Sequence, residues 1–235
     1  MERIDKIISS QGIFSRSDIK KLIHQKRIKV DGKIVLKSDI KIDKYSSEIK
    51  IDDKPVIIKD NIYLILNKPE GYVSATKDNK EKTVLDLMPH EYSKRELFPA
   101  GRLDKNTTGL MIITDDGKFA HNILSPKKHV SKKYEVTIDI PVTEEMKKGF
   151  KEGINLIDGK CKSSDMIITG EYTAEVILTE GRYHQIKRMF GCYGAKVIKL
   201  HRVQMGDLKL PKDLAVGEIR ELTKTELKQL SENKK

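Results

Sequence analysis

The stretch Gly101-Arg102-Leu103-Asp104-Lys105-Asn106-Thr107-Thr108-Gly109 sets one carboxylate between an arginine and a turn rich in hydroxyls and glycine. The apolar run Leu110-Met111-Ile112-Ile113 follows at once and reads as a buried strand. A charge fixed beside a buried strand is costly unless it is paired or used. Asp104 therefore has two readings: an Asx-turn or helix cap, or a nucleophile or base held ionised by a neighbouring cation. Cations for the second role occur in Glu180-Gly181-Arg182-Tyr183-His184-Gln185-Ile186-Lys187-Arg188-Met189-Phe190, where four basic or imidazole side chains fall within seven residues. Lys187 and Arg188 are adjacent, so on a helix they splay by about 100° and cannot both face one site. One is expected to pair with a carboxylate while the other meets phosphate. His184 has the chemistry of an acid or base, although beside Tyr183 and Gln185 a hydrogen-bonding role is the preferred reading.

Elements must hold these residues in place. Ile4, Ile7 and Ile8 recur at helical spacing, with Gly12 beyond them. Ser15 with Asp18 three residues on opens a second helix, whose stripe is Ile19, Leu22 and Ile23. Arg16, Lys20, Lys21, Lys26 and Arg27 fall on its wet side. Ile28 and Val30, the turn Asp31-Gly32, then Ile34 and Val35 spell a hairpin. Polar residues at Asp52–Pro55 and Lys59–Asn61 mark a hinge. Further on, Ile62–Leu66 reads as a buried strand running into the turn Asn67–Tyr72. Ala75–Lys82 reads as a loop, and Thr83–Met88 as a short helix before Pro89. Asp115-Asp116-Gly117 reads as a turn, followed by a helix from Lys118 to Leu124. Tyr134–Ile140 and Thr173–Thr179 alternate like strands. Met146–Lys151 and Gln185–Tyr193 show helical spacing, and Thr223 with Glu226 is a capping box for a last helix. Strands and helices mix without regular βαβ alternation. The expected fold class is therefore α+β with a largely antiparallel sheet.

The formal charge is +11 over 235 residues. Residues 1–59 hold 15 Lys+Arg against 9 Asp+Glu, a net of +6, so the excess is concentrated in the first quarter. Such a surplus points to a polyanionic partner. No apolar run approaches the ~20 residues of a membrane span, and the start Met1-Glu2-Arg3 is too charged for a secretory leader. Cys161 and Cys192 lack metal-type spacing and suit a reducing cytoplasm. No Rossmann fingerprint, phosphate loop or metal cluster is visible.

The Asp104 stretch resembles the active-site signature of the pseudouridine synthases, Gly-Arg-Leu-Asp-x-x-Thr-Ser/Thr-Gly-Leu. The Gly181–Lys187 run is similar to the segment that closes the site in that family, and Lys132-Lys133-Tyr134 matches its Lys-x-Tyr context. Asn67-Lys68-Pro69-x-Gly71 and Leu200-His201-Arg202 agree as well. Two short helices and a basic hairpin, with Ser15-Arg16-Ser17 and Val30-Asp31-Gly32-Lys33, resemble the small αL RNA-binding domain first known from a ribosomal protein. The likeness covers essentially the whole chain. It implies an αL-type RNA-binding domain at 1–59 followed by a pseudouridine synthase catalytic domain at 60–235. Thr107-Thr108 and the run from Gly181 to Phe190 look most like the branch that modifies small-subunit (16S) rRNA. Alternatives are a 23S rRNA or other structured-RNA target, or a non-catalytic rRNA-binding or ribosome-assembly protein.

The resemblance implies that Asp104 is the catalytic carboxylate, that Lys187 forms its ion pair and that Tyr134 stacks on the target base. Arg102, Arg182, His184 and Arg188 are expected at the RNA, as are Arg16, Lys20, Lys21 and Arg27 of the first domain. The reaction breaks the glycosidic bond, turns the base over and rejoins it at C5. It is an isomerisation, so no cofactor and no metal are expected. The partner is rRNA, free or in an assembling small subunit, and a cytoplasmic monomer with no membrane association is expected. The base must first leave its stack, at a cost of a few kcal/mol, which stacking on Tyr134 would partly offset by about 1–3 kcal/mol. Arg102 would contact phosphate or fill the space that the nucleotide leaves. Asp104 would then attack C1′ or remove a sugar proton to give a glycal.

Overall fold

The computed structural model describes residues 1–125 and 130–231. The chain divides into two units, Met1–Ile62 with Met88–Leu97, and Tyr63–Leu87 with Phe98–Lys235. The sequence border at 59/60 thus meets a unit edge at 62/63, while Met88–Leu97, read as part of the second domain, clusters with the first.

The first unit has helices Ile4–Ser9 and Arg16–His24, and a four-stranded sheet in the order Lys33–Ile34, Ile28–Val30, Ile49–Ile51, Lys54–Pro55. The second helix starts where the sequence places it. Ser15 Oγ accepts from the Asp18 backbone N–H, and the Asp18 carboxylate accepts from the Ser15 backbone N–H. At the hairpin, Asp31 and Gly32 both take positive φ, 49° and 77°, as a tight two-residue turn demands. The isoleucines close over one core, with Ile4, Ile7, Ile8, Ile19, Ile28 and Ile49 all buried. Met88–Leu97 is tied in by Lys94 Nζ at 3.1 Å from Asp18 and by Arg95 donating to the carbonyls of Lys59 and Asp60.

The second unit is built on a nine-stranded sheet. Its main path runs Asp165–Gly170, Thr173–Leu178, Lys132–Ile138, Val197–Met205, Thr108–Thr114, Tyr63–Lys68, Ile219–Glu221; Leu208–Lys209 and Phe98–Pro99 pair at its margins. Every pairing is antiparallel except that of Val197–Met205 with Thr108–Thr114. Thr108–Thr114 and Tyr63–Lys68 are buried at all but their first residues, which explains their continuous apolar runs. Helices Gly117–Leu124 and Lys224–Ser231 cover one core of Ile65, Leu110, Ile112, Ile123, Met205 and Leu222. Asp116, read as part of a turn, caps the first of these by accepting from the Phe119 N–H. Thr223 and Glu226 form the expected capping box of the second. Thr83–Met88, read as a helix, is one 3₁₀ turn at Val84–Leu87. No described helix is long and apolar enough to cross a membrane.

The single parallel step places His201 opposite Thr108 and Arg202 opposite Gly109. Gly109 has φ +100°, and a Cβ there would run into the Arg202 backbone. A side chain is excluded on both counts. Gly109→Ala is therefore expected to cost at least about 2–3 kcal/mol. A urea midpoint unchanged from the parent would show that the two strands are not held at this distance.

Candidate active site

A cleft of about 750 Å³ opens in the second unit, with the Asp104 loop on one wall and the Glu180–Ile186 segment on the other. Its floor is the sheet face carrying Lys132, Tyr134, Leu178, Leu200 and Arg202. The Asp104 loop is clamped from beneath. Lys68 is fully buried, and its ammonium donates to three carbonyls, those of Pro69 (3.0 Å), Lys105 (3.2 Å) and Thr107 (2.9 Å). Ser74 Oγ accepts from the Leu103 N–H at 2.9 Å and donates to the Leu103 carbonyl at 2.7 Å. The Thr107 N–H returns to the Asp104 carbonyl, which closes the turn. Asp104 thus stands on a loop whose backbone is satisfied on both sides, a condition for holding one geometry.

The opposite wall is positioned by the start of helix Gln185–Gly191. Gln185 is buried. Its amide donates to Glu180 at 2.7 Å, and its carbonyl accepts from the Arg182 N–H at 3.0 Å. His184 sits in the left-handed region, φ 48°, at the N-cap. That bend aims its ring back at the cleft, with Nε2 at 3.4 Å from Asp104 Oδ1. One turn into the helix, Lys187 Nζ lies 3.0 Å from Asp104 Oδ2. The two side chains are 30% and 25% exposed, so the pair is largely withdrawn from water. Tyr183, mostly exposed, stacks on His184 with ring centroids 3.9 Å apart.

Asp104, Lys187 and His184 therefore come together, and Tyr134, Arg102 and Arg182 line the same cleft. Arg102 is exposed, whereas Tyr134 is buried on the floor. Arg182 spends its guanidinium on the hairpin at Asn155–Lys160, donating to the carbonyls of Gly159 (2.9 Å) and Lys160 (2.6 Å). Arg188 points away from Lys187, as helix geometry requires, and pairs with both oxygens of Asp158 at 2.9 and 3.1 Å. The second cation of the Lys187-Arg188 pair is thus engaged by a carboxylate. In the first unit Arg16, Lys20 and Lys21 are exposed on their helix, while Arg27 is bonded to Asp52.

Three cleft features went unread in the residues themselves: the Lys68 clamp, and the buried cations Lys132 and Arg202. A lysine ending a strand of Leu and Ile just before a proline was the available sign for the first. Burial pushes both lysines below their ordinary 10.5, to about 8; for Lys132 the neighbouring Arg202 charge adds to the effect, while Asp104 and Glu70 partly offset it for Lys68.

Two family models match successive parts of the chain. The RNA pseudouridylate synthase family matches residues 62–191, and the S4 domain matches residues 2–44. The "uncharacterized RNA pseudouridine synthase YtzG" of Bacillus subtilis is 39% identical, over 98% of each chain. The "ribosomal small subunit pseudouridine synthase A" of Escherichia coli is also 39% identical, over 96% of this chain and 98% of its own. A crystal structure of a pseudouridylate synthase superposes with a TM-score of 0.69 at 37% identity, covering 98% of this chain and all of that one.

The depressed lysines set a pH dependence. Between about pH 8 and 10.5 the unfolded chain binds more protons than the folded one, so the contribution of these two groups to stability rises with pH across that window. Below about 8 both states are protonated and the cost of burying the charge is complete. Lys132→Met should remove part of this rise, so its stability relative to the parent is greater at pH 7.5 than at pH 10. Urea titrations at the two values read it, and a difference independent of pH would contradict the assignment. Lys68→Met strands three carbonyls at about 1–3 kcal/mol for each one left buried and unpaired, and a lowered melting temperature is the expected outcome.

Proposed function

Because this chain belongs to the RNA pseudouridylate synthases, with an S4 domain ahead of the synthase domain, we propose that it converts a uridine of small-subunit (16S) rRNA to pseudouridine with Asp104 as the catalytic carboxylate. The observation that carries this reading is the 3.0 Å approach of Lys187 Nζ to Asp104 inside a cleft floored by Tyr134. Both side chains are partly shielded from water, unlike those of an exposed pair, which is worth about 0–1 kcal/mol. The small-subunit target is supported by relatives named ribosomal small subunit pseudouridine synthase A.

The reaction begins when the target uridine leaves its stack and its ring settles on Tyr134. Asp104, held by the Lys68 and Ser74 clamps, meets the sugar and either bonds to C1′ or takes a proton from it. Lys187, at 3.0 Å, holds one oxygen of that carboxylate, and His184, at 3.4 Å, holds the other in line. Arg102 at the exposed rim takes a phosphate or the space of the extruded nucleotide. Arg182 and Arg188 reach RNA only by sharing guanidinium groups already bonded within the chain. The exposed face of Arg16, Lys20 and Lys21, with Arg27 beside it, grips rRNA away from the reacting base. The protein acts as a cytoplasmic monomer.

Asp104→Asn is expected to fold and bind rRNA normally while losing pseudouridine formation, read by tritium release from C5 or by mass spectrometry; normal turnover would remove Asp104 from its role. Lys187→Met should slow turnover by about 100-fold, with Lys187→Arg restoring much of it. Lys20→Glu with Lys21→Glu should weaken binding and flatten its salt slope by about 1.5–2 units. Mapping at nucleotide resolution on separate small- and large-subunit transcripts tests the target, and modification confined to the large-subunit RNA would overturn it.

A further inference from the structure

The floor of the cleft carries two cations that the assigned roles leave unused. Arg202 is only 2% exposed. Its Nε donates to the Leu110 carbonyl at 2.7 Å, but its Nη2 is buried with no hydrogen-bond partner among the described residues. Lys132 is 8% exposed and donates to the Val130 carbonyl at 2.9 Å. Among the described residues neither is paired with a carboxylate. The acids of the cleft are committed elsewhere, Asp104 to Lys187 and His184, Glu180 to Gln185 and the Lys162 N–H, and Asp78 to the N–H groups of Lys80 and Glu81. Burying two like charges near one another is unfavourable, and the Arg202 charge adds to the burial that lowers Lys132. A buried donor with no partner among the described residues can take an acceptor from outside the chain.

Position identifies that acceptor. Arg202 lies directly opposite Tyr134 in the antiparallel register, and Lys132 lies two residues before Tyr134 on the same face. Both cations therefore border the ring on which the target base is read to stack. A phosphate on a continuous strand demands an open, wet approach, which a floor 2% and 8% exposed does not offer. A flat base inserted against Tyr134 reaches it edge-on with its two carbonyl oxygens.

We propose that Lys132 and Arg202 form an anion site that stabilises the uracil ring while it is detached from the sugar. This rests on the reading of Asp104 and Tyr134 above. When the C1′–N1 bond breaks, both electrons leave with the ring and spread over N1, O2 and O4. C1′ is satisfied by an ester bond to Asp104 or by loss of a sugar proton to give the glycal. The ring then turns, and an electron pair at C5 forms the C5–C1′ bond; on the ester route the C1′–O bond to Asp104 breaks and its pair returns to the carboxylate, and on the glycal route the sugar regains its proton. The C5 proton departs and N1 takes one up, so substrate and product remain isomers. Charge appears on the base only between these bonds, and two fixed cations lower the energy of that interval most. Lys132 remains largely protonated at neutral pH, since burial brings it only to about 8.

The test is single-turnover conversion by the full-length protein on small- and large-subunit rRNA transcripts, with the dissociation constant measured in parallel. Lys132→Met and Arg202→Gln should each slow conversion by about 100-fold while affinity changes less than about threefold. Arg202→Lys should recover part of the rate. In transcripts made with 5-fluorouridine, whose ring holds negative charge more readily, the same variants should lose less, read as disappearance of the fluorinated nucleoside. Unchanged rates, equal slowing on both substrates, or a loss explained wholly by weaker binding would each overturn the proposal. If Arg202→Gln unfolds by circular dichroism, Lys132→Met, which removes only one hydrogen bond to Val130, decides the matter. Asp104→Asn run alongside separates the two levels: an active variant sinks the underlying reading, whereas an inactive one with normal floor variants sinks this inference alone.

Discussion

The contact between Asp104 and Lys187 joins two parts of the chain that have nothing local in common, a loop before a central strand and the first turn of a late helix. Its 3.0 Å length can persist only if both ends are held independently. On one side three carbonyls converge on the Lys68 ammonium, and Ser74 grips Leu103 through both its backbone groups. On the other, the Gln185 side chain ties Glu180 to Arg182 and His184 turns through a left-handed bend into the helix. The close approach of Gly109 to Arg202 then sets the distance between the strands that follow these two regions. Ion pairing, loop closure and sheet register are in this sense one arrangement.

Charge in the cleft differs between wall and floor. The acid meets Lys187 and His184 at the wall, whereas among the described residues the floor cations Lys132 and Arg202 have no carboxylate partner. The neighbouring arginines that sequence alone would assign to RNA are also bonded within the protein: Arg182 to hairpin carbonyls and Arg188 to the side chain of Asp158. A basic residue beside the cleft is therefore not by itself a free cation; part of its donor capacity can already be spoken for.

The parts of this fold legible in the sequence are those decided within a few residues. Ser15 with Asp18, Asp31 with Gly32, and Thr223 with Glu226 each complete their hydrogen bonds or turn locally, and each appears where its residue types place it. Leu110–Ile113 is legible because a strand buried on both faces must be apolar throughout. Val197–Met205 was not read as a strand, because Lys199, His201 and Arg202 break the apolar pattern; its place between two strands in the sheet compensates. Lys132 and Arg202 look like surface residues in any local window, since burial is a property of the assembled sheet. Asp104, Tyr134 and Lys187 were brought together by likeness to a family, and their spacing along the chain contains no sign of that proximity.

The placement of Met88–Leu97 has an evolutionary consequence. The amino-terminal unit includes a strip encoded inside the sequence of its neighbour, where Lys94 meets Asp18 and Arg95 holds the carbonyls of Lys59 and Asp60. Exchanging the first sixty residues between relatives by recombination at a single crossover would separate these partners. Intact transplantation of the RNA-binding head requires a second inherited piece, so the two units are expected to diverge as one heritable block and not as interchangeable cassettes.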